Sequence, residues 1–206
     1  MAQSILQNQS VMNSFYSFPV KFTDPQNYYY FDKGFSPEEL HKVKNQVHRL
    51  PFQEATIVGG IDKKTRSSSI KWIPTTHEFE WLYKKMMDLS IEANQVLWDF
   101  NLHTMPEGIQ YTEYYATENG HYNWHQDIGP GLLSQRKVSI TVQLSDPSEY
   151  EGGDLEIWSG GDTPIKAPKG RGTVVIFPSY MMHRVTPVTK GTRTSFVLWV
   201  GGEHYK

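Results

Sequence analysis

From about Gly108 onward the chain is a series of short β-rich runs broken by Gly, Pro, Asn and Asp, and this texture limits the fold more than any other feature. The runs are IQYTEYYA (109–116), KVSITVQL (137–144), DLEIW (154–158), GTVVIF (172–177) and RTSFVLWV (193–200). Several short strands with turn signals between them predict a sandwich or barrel. The alternation inside the strands is informative. Val138, Ile140, Val142 and Leu144 share one face, and Ser139, Thr141 and Gln143 share the other; further on, Arg193, Ser195, Val197 and Trp199 fall together. A polar strand face either meets water or lines a wet cavity, and the sequence leaves both open.

The first half reads differently. Residues 1–30 are polar and Tyr-rich, an arm with a strand at its end. A helix is predicted from Pro37 to about Arg49: Ser36 and Glu39 form a capping box, Pro37 suits the first helical position, and Leu40, Val43 and Val47 make the apolar face. Residues 52–72 read as a strand, a Gly-Gly turn and a basic polar loop. A second helix is predicted over about His77–Leu97, with Phe79, Leu82, Met86, Leu89, Ala93, Val96 and Leu97 at helical spacing. The 206 residues imply one domain, since domains run to about 150 residues. Residues 1–104 supply the arm and supporting helices, and 105–202 the β-core.

Composition removes whole classes of function. Without Cys there is no disulfide scaffold, thiolate zinc site or Cys nucleophile. No apolar run approaches the roughly 20 residues of a membrane span. MAQSILQNQSVMNSF does not read as a secretory signal, so a cytoplasmic address is expected. A net charge of -2, with no basic cluster beyond DKKTR, argues against nucleic acid as partner.

The segment GHYNWHQDIGPG carries the chemistry. His125 and Asp127 are two apart; on a helix they would diverge, and on an extended segment they point the same way. A two-His-one-carboxylate metal triad needs a third ligand. Of the His that follow, His204 lies near the end of the sequence, where chains fray, and His183 sits just after the run 172–177. His121, four before His125, would suit a helical site, and its surroundings are not helical. Ten residues beyond His183 stands Arg193, a planar fork suited to a carboxylate.

Together these elements resemble the Fe(II)/2-oxoglutarate-dependent oxygenase superfamily, and more closely its PKHD-type and prolyl 4-hydroxylase branch, which includes bacterial and phage proteins. GHYNWHQD is similar to that branch's G-x-Y-x-x-H-x-D pattern at Gly120, Tyr122, His125 and Asp127. SDPSEYEGGDLEI resembles its Gly-Gly strand entry, and GTVVIFPSYMMHRVTPVTKGTR its F-P-S-x-x-x-H-x-V-x-P-V-x-x-G-x-R stretch. The resemblance spans about residues 105–202.

It implies a mainly β protein with a double-stranded β-helix (jelly-roll) core and N-terminal helices on the larger sheet. It implies Fe(II) bound by His125, Asp127 and His183. It implies 2-oxoglutarate gripped at its distal carboxylate by Arg193 and Tyr115, with Gln143, Thr141 and Trp199 completing the cosubstrate site. O2 is the oxidant and ascorbate a reductant. Gln143 stands where several hypoxia-type members carry Tyr, and Arg193 where many collagen-type members use Lys. In the nucleic-acid demethylases a second Arg follows six residues after the first; here that residue is Trp199.

The implied reaction is hydroxylation of an unactivated C–H on a prolyl residue of a peptide or protein, with release of succinate and CO2. A free amino acid or other small molecule is the alternative substrate. A non-catalytic jelly-roll interaction or virion module is the alternative of another class. Tyr122, Trp124 and Arg66 are candidate substrate contacts, and the loops around Lys63, Lys64 and Arg66 and at DIGPGLLSQR are candidate clasps.

Overall fold

The computed structural model describes residues 26–55, 60 and 62–205. The expected arm over 1–25 lies outside the described residues, and the strand expected at its end is β1 (Tyr29–Phe31). Helix α1 (Pro37–His48) starts as its sequence predicts. The Ser36 hydroxyl accepts the Glu39 N–H at 3.3 Å and the Glu39 carboxylate accepts the Ser36 N–H at 2.8 Å, which satisfies two helix-end donors. Leu40, Val43 and Val47 are buried.

The stretch after Pro51 is not a strand and a loop but three strands: β2 (Gln53–Glu54), β3 (Arg66–Ser67) and β4 (Ser69–Ile73). Their polar residues conceal them, because what buries Arg66 and Lys71 is tertiary. Helix α2 (Glu80–Leu97) begins three residues later than predicted. Its N-cap, Phe79, makes no side-chain cap bond, and 77–79 form a turn instead. Val96, placed on the apolar face from its spacing, is 59% exposed, whereas Leu82, Met86 and Ala93 are fully buried.

The remaining strands are β5 (Leu102–Thr104), β6 (Ile109–Tyr115), β7 (His121–His125), β8 (Arg136–Gln143), β9 (Tyr150–Gly152), β10 (Leu155–Ile157), β11 (Ile165–Lys166), β12 (Val174–Pro178), β13 (His183–Val185) and β14 (Val188–Gly202). They form two antiparallel sheets. The larger has the order β1-β12-β8-β14-β6-β4-β2, with β5 and β9 also on β14; the smaller is β11-β10-β13-β7-β3. This is the expected double-stranded β-helix.

The alternation in β8 now has its meaning. Val138, Ile140 and Val142 face the helices with Val174, Ile176, Phe196, Leu198 and Val200, and Leu82 and Met86 of α2 pack on them. Burying each such side chain contributes roughly 1.5–3 kcal/mol. Ser139, Thr141 and Gln143 are also buried, on the side that faces the smaller sheet. The polar face therefore lines an interior cavity and not bulk water.

Candidate active site

The last residue of β7, His125, stands opposite the first of β13, His183. Asp127 follows two residues on, its N–H donating to the Ser179 carbonyl at 2.9 Å. His125 Nδ1 lies 2.7 Å from the Asn123 carbonyl and His183 Nδ1 lies 2.9 Å from that of Met181. A carbonyl can only accept, so each Nδ1 carries the proton and each Nε2 presents a lone pair. Those Nε2 atoms lie 3.6 and 3.5 Å from the two Asp127 carboxylate oxygens. The three ligand atoms lie within 4.8 Å of one another. Three electron-pair donors thus converge with no hydrogen between them, which is the requirement of a bound cation, and this N/N/O set suits Fe(II).

Burial opposes ionisation of Asp127, yet the attraction of any positive charge at His183 and His125 and the hydrogen bond from the Ser139 hydroxyl hold its carboxyl well below the usual carboxylate range. Ser139 Oγ donates to Asp127 Oδ2 at 2.6 Å and lies 2.9 Å from Ser179 Oγ. Burial pushes the His183 imidazole down to about 4, so it is a neutral ligand at pH 7.

At the other end of the cavity Arg193 is 1% exposed. Its guanidinium donates to Ser195 Oγ at 3.2 Å and Gln143 Oε1 at 3.1 Å, both neutral, and among the described residues its Nε has no partner. A buried cation with only neutral acceptors calls for an anion, and a carboxylate has the charge and the two oxygens to meet that need. Gly153 makes room for it: at φ +60, a Cβ there would sit 2.8 Å from Arg193 Cδ.

Tyr115 does not join Arg193. In the β14–β6 ladder Arg193 pairs with Tyr114, and Tyr115 pairs with Thr192. Side chains alternate along a strand, so Tyr115 turns away and its hydroxyl donates to Glu113. Tyr114 lines the cavity, its ring centre 5.3 Å from the Arg193 guanidinium carbon. The signal was the alternation in IQYTEYYA, which sets Gln110, Thr112 and Tyr114 on one face.

Thr141 and Trp199 line the cavity, and Gln143 reaches it through Arg193. Trp199 pairs with Ser139 across the ladder, at the metal end; its Nε1 is buried without a partner among the described residues. Arg136 lies 3.7 Å over the Trp199 ring and donates to the Asp127 carbonyl at 3.1 Å.

Tyr122 and Trp124, expected together, part company. His183 pairs with His125 but Val185 pairs with Tyr122, so β7 spends one more residue than β13 over the same span. This bulge brings Tyr122 and His125 to one face, their rings stacked at 3.5 Å. Trp124 turns outward against Trp158 and beneath Arg184. Arg66, a candidate substrate contact expected in a basic polar loop, is instead buried in β3 and lines the cavity. His121 bonds two backbone carbonyls and stays outside the ligand group.

A jelly-roll that holds a two-His-one-carboxylate cluster and a buried, acid-free Arg defines an Fe(II)- and 2-oxoglutarate-dependent oxygenase. Comparison agrees: the model of the 2OG-Fe(II) oxygenase superfamily matches residues 109–201. A PKHD-type hydroxylase of Azoarcus sp. is 41% identical over 177 residues, covering 82% of this chain and 75% of that protein. One from Nitrosomonas europaea is 38% identical over 178 residues, covering 82% and 76%. The chain belongs to the PKHD-type hydroxylases, whose superfamily uses Fe(II), 2-oxoglutarate and O2.

Among solved structures, a Pseudomonas putida prolyl-4-hydroxylase shares the fold with a TM-score of 0.71 at 17% identity, over 85% of this chain and 93% of that one. A Trichoplax adhaerens prolyl hydroxylase, in complex with a hypoxia inducible factor peptide fragment, also gives 0.71 at 17% identity, over 85% and 83%. No helix among the described residues is long and apolar enough to cross a membrane.

Proposed function

We propose that this hydroxylase acts on an unactivated C–H of a prolyl residue in a peptide or protein, forming succinate and CO2 from 2-oxoglutarate. The observation that carries the oxygenase half of this reading is Arg193, a buried cation with no acid partner among the described residues, at the far end of a cavity whose other end is the His125–Asp127–His183 cluster. Fe(II), with 2-oxoglutarate and O2, supplies the oxidising power that converts C–H to C–OH.

The chain's own residues hold and orient. His125, Asp127 and His183 would ligate the metal on one face and leave the opposite face open. Arg193, Tyr114 and Ser195 would fix the distal carboxylate of 2-oxoglutarate, with Gln143 steadying the guanidinium and Thr141 and Trp199 along the cavity wall. Apolar Leu155, Phe177, Val185 and Val197 restrict water around the reacting centre.

The prolyl half is supported by the kinship of fold with prolyl hydroxylases, one of which holds a peptide. Proline-containing peptides incubated with enzyme, Fe(II), 2-oxoglutarate and O2 should gain one oxygen atom on proline, read by tandem mass spectrometry. Uncoupled succinate formation with every such peptide, beside coupled turnover of another compound, would reject proline and keep the oxygenase.

A further inference from the structure

The cavity contains a second buried cation that neither metal nor cosubstrate uses. Arg66 is 8% exposed, and among the described residues no carboxylate pairs with it. Its Nη2 donates to Gln110 Oε1 at 2.7 Å and its Nε to Ser68 Oγ at 2.9 Å. Its guanidinium carbon is 4.7 Å from the centre of the Tyr122 ring, and that ring stacks on His125, so one aromatic ring separates Arg66 from the ligand cluster.

Gln110 adds a donor. It is 4% exposed and lines the cavity. Its Oε1 is occupied by Arg66 and by the Thr112 hydroxyl at 3.3 Å, which leaves its amide nitrogen without a protein partner among the described residues.

Charge points the same way. Among the described residues, the charged side chains lining the cavity are Asp127, Arg66 and Arg193, besides the two histidine ligands. A divalent metal ion and the dianion 2-oxoglutarate cancel, and Asp127 offsets one arginine. One positive charge is left over, and an uncompensated charge in a dry cavity is strongly unfavourable.

We propose that Arg66 and Gln110 bind a carboxylate of the prime substrate. This rests on the oxygenase reading above and narrows its substrate to an acid. The carboxylate belongs to a free amino acid, to the C-terminal residue of a peptide, or to an acidic side chain beside the target. A purely structural Arg66, tying β3 to β6, would give no preference between an acid and its amide.

The test uses matched pairs that differ only in carboxylate against carboxamide. They are free L-amino acids with their amides, peptides ending in a free or amidated residue, and internal-proline peptides flanked by Asp or Asn. Substrate-stimulated succinate release by the full chain should favour the acid member of a pair by at least about 30-fold in kcat/KM, the scale of a buried charged contact. The pair that responds identifies the source of the carboxylate. Calorimetric titration of that acid into the anaerobic Fe(II)–2-oxoglutarate complex should show its Kd raised at least about 30-fold in Arg66→Gln, and less in Arg66→Lys. Circular dichroism confirms that each variant is folded.

Equal turnover of acid and amide overturns the proposal, as does a response to none of the acids. Proline peptides turned over regardless of carboxylate would overturn it while keeping the prolyl reading. Coupled turnover of a non-proline acid, lost with its amide, would support it and reject proline.

Discussion

Arg193 and Tyr114 face each other directly across the β14–β6 ladder, and both side chains enter the cavity between the sheets. Replacing Arg193 by Ala removes the cation that a cosubstrate carboxylate would pair with. Such a loss costs on the order of 2–5 kcal/mol, about 30- to 4000-fold in affinity. Tyr114→Phe should weaken 2-oxoglutarate by about tenfold or more, the scale of one hydrogen bond to a charge. Tyr115→Phe, on the other face, should change it less than about twofold. Calorimetry of 2-oxoglutarate binding to the Mn(II)-loaded protein reads all three, and a larger effect at Tyr115 than at Tyr114 would refute the assignment.

Gly153 is coupled to that arginine. A methyl group there would press on Arg193 Cδ at 2.8 Å and on Val188 Cγ2 at 3.0 Å, at a backbone angle other residues adopt with strain. Gly153→Ala should therefore weaken 2-oxoglutarate binding and also lower stability, by about 1–3 kcal/mol. Binding by calorimetry and stability by urea unfolding should move together; a shift in stability alone would show that Arg193 tolerates the displacement.

The metal site offers a graded test. Asp127→Ala should abolish Fe(II) binding and 2-oxoglutarate turnover while the β-core stays folded by circular dichroism. Ser139→Ala removes the 2.6 Å bond that orients the Asp127 carboxylate and should reduce metal affinity by about 10- to 100-fold. Full activity in the Asp127 variant would remove the triad from the mechanism.

His183 sets a pH signature for the metal-free protein. Its imidazole is pushed by burial from an ordinary 6.5 to about 4. Between those values the unfolded chain binds the proton and the folded one does not, so stability falls as pH falls through that window. Between pH 7 and pH 5 the loss attributable to His183 is about 2 kcal/mol. Urea midpoints at the two pH values should show this difference in the wild type and a smaller one in His183→Leu. The same slope in both would assign the effect to other groups.

Lys71 is 5% exposed, and its Nζ donates to the Val47 and His48 carbonyls, at 3.1 and 3.4 Å, at the C-terminal end of α1. There it gives a donor to the His48 carbonyl and a second one to the Val47 carbonyl, which also accepts the Leu50 N–H at 3.0 Å, and it places a cation at the negative end of the helix dipole. Lys71→Met should cost about 1–3 kcal/mol, measured by urea unfolding, with Lys71→Arg nearer the wild type.

What could be read from the sequence follows a physical division. The α1 capping box is local: Ser36 and Glu39 interact within one turn, so their spacing alone predicts them. The gathering of His125 and Asp127 needs only an extended backbone. Partner strands decide the rest. Whether Tyr114 or Tyr115 meets Arg193 depends on which residue β14 places opposite, and no property of the dipeptide sets that register. Arg66 and Lys71 look like solvated residues because Arg, Lys and Ser are usually exposed; their burial comes from Gln110, Tyr122 and the end of α1, far away in the chain. Tyr122 departs for a third reason: counted back from His125, strict alternation turns both Tyr122 and Trp124 away, and the extra residue in β7 returns Tyr122 alone to the imidazole's face.

That extra residue makes the length of β7, and not only its composition, carry information. Tyr122 and His125 share a face because three steps of chain are spent where the partner strand spends two. Loss of a single codon at Asn123 or Trp124 would allow regular pairing and could leave a sheet at least as well hydrogen-bonded. Every ligand would still be encoded, and Tyr122 with its partner Arg66 would keep their phase with the imidazole, because two regular steps along a strand return a side chain to the same face. Among descendants of such a chain, then, losing one of these two residues is the smaller hazard, and a register slip that keeps both but pairs them regularly, turning Tyr122 away from the imidazole, is the larger one.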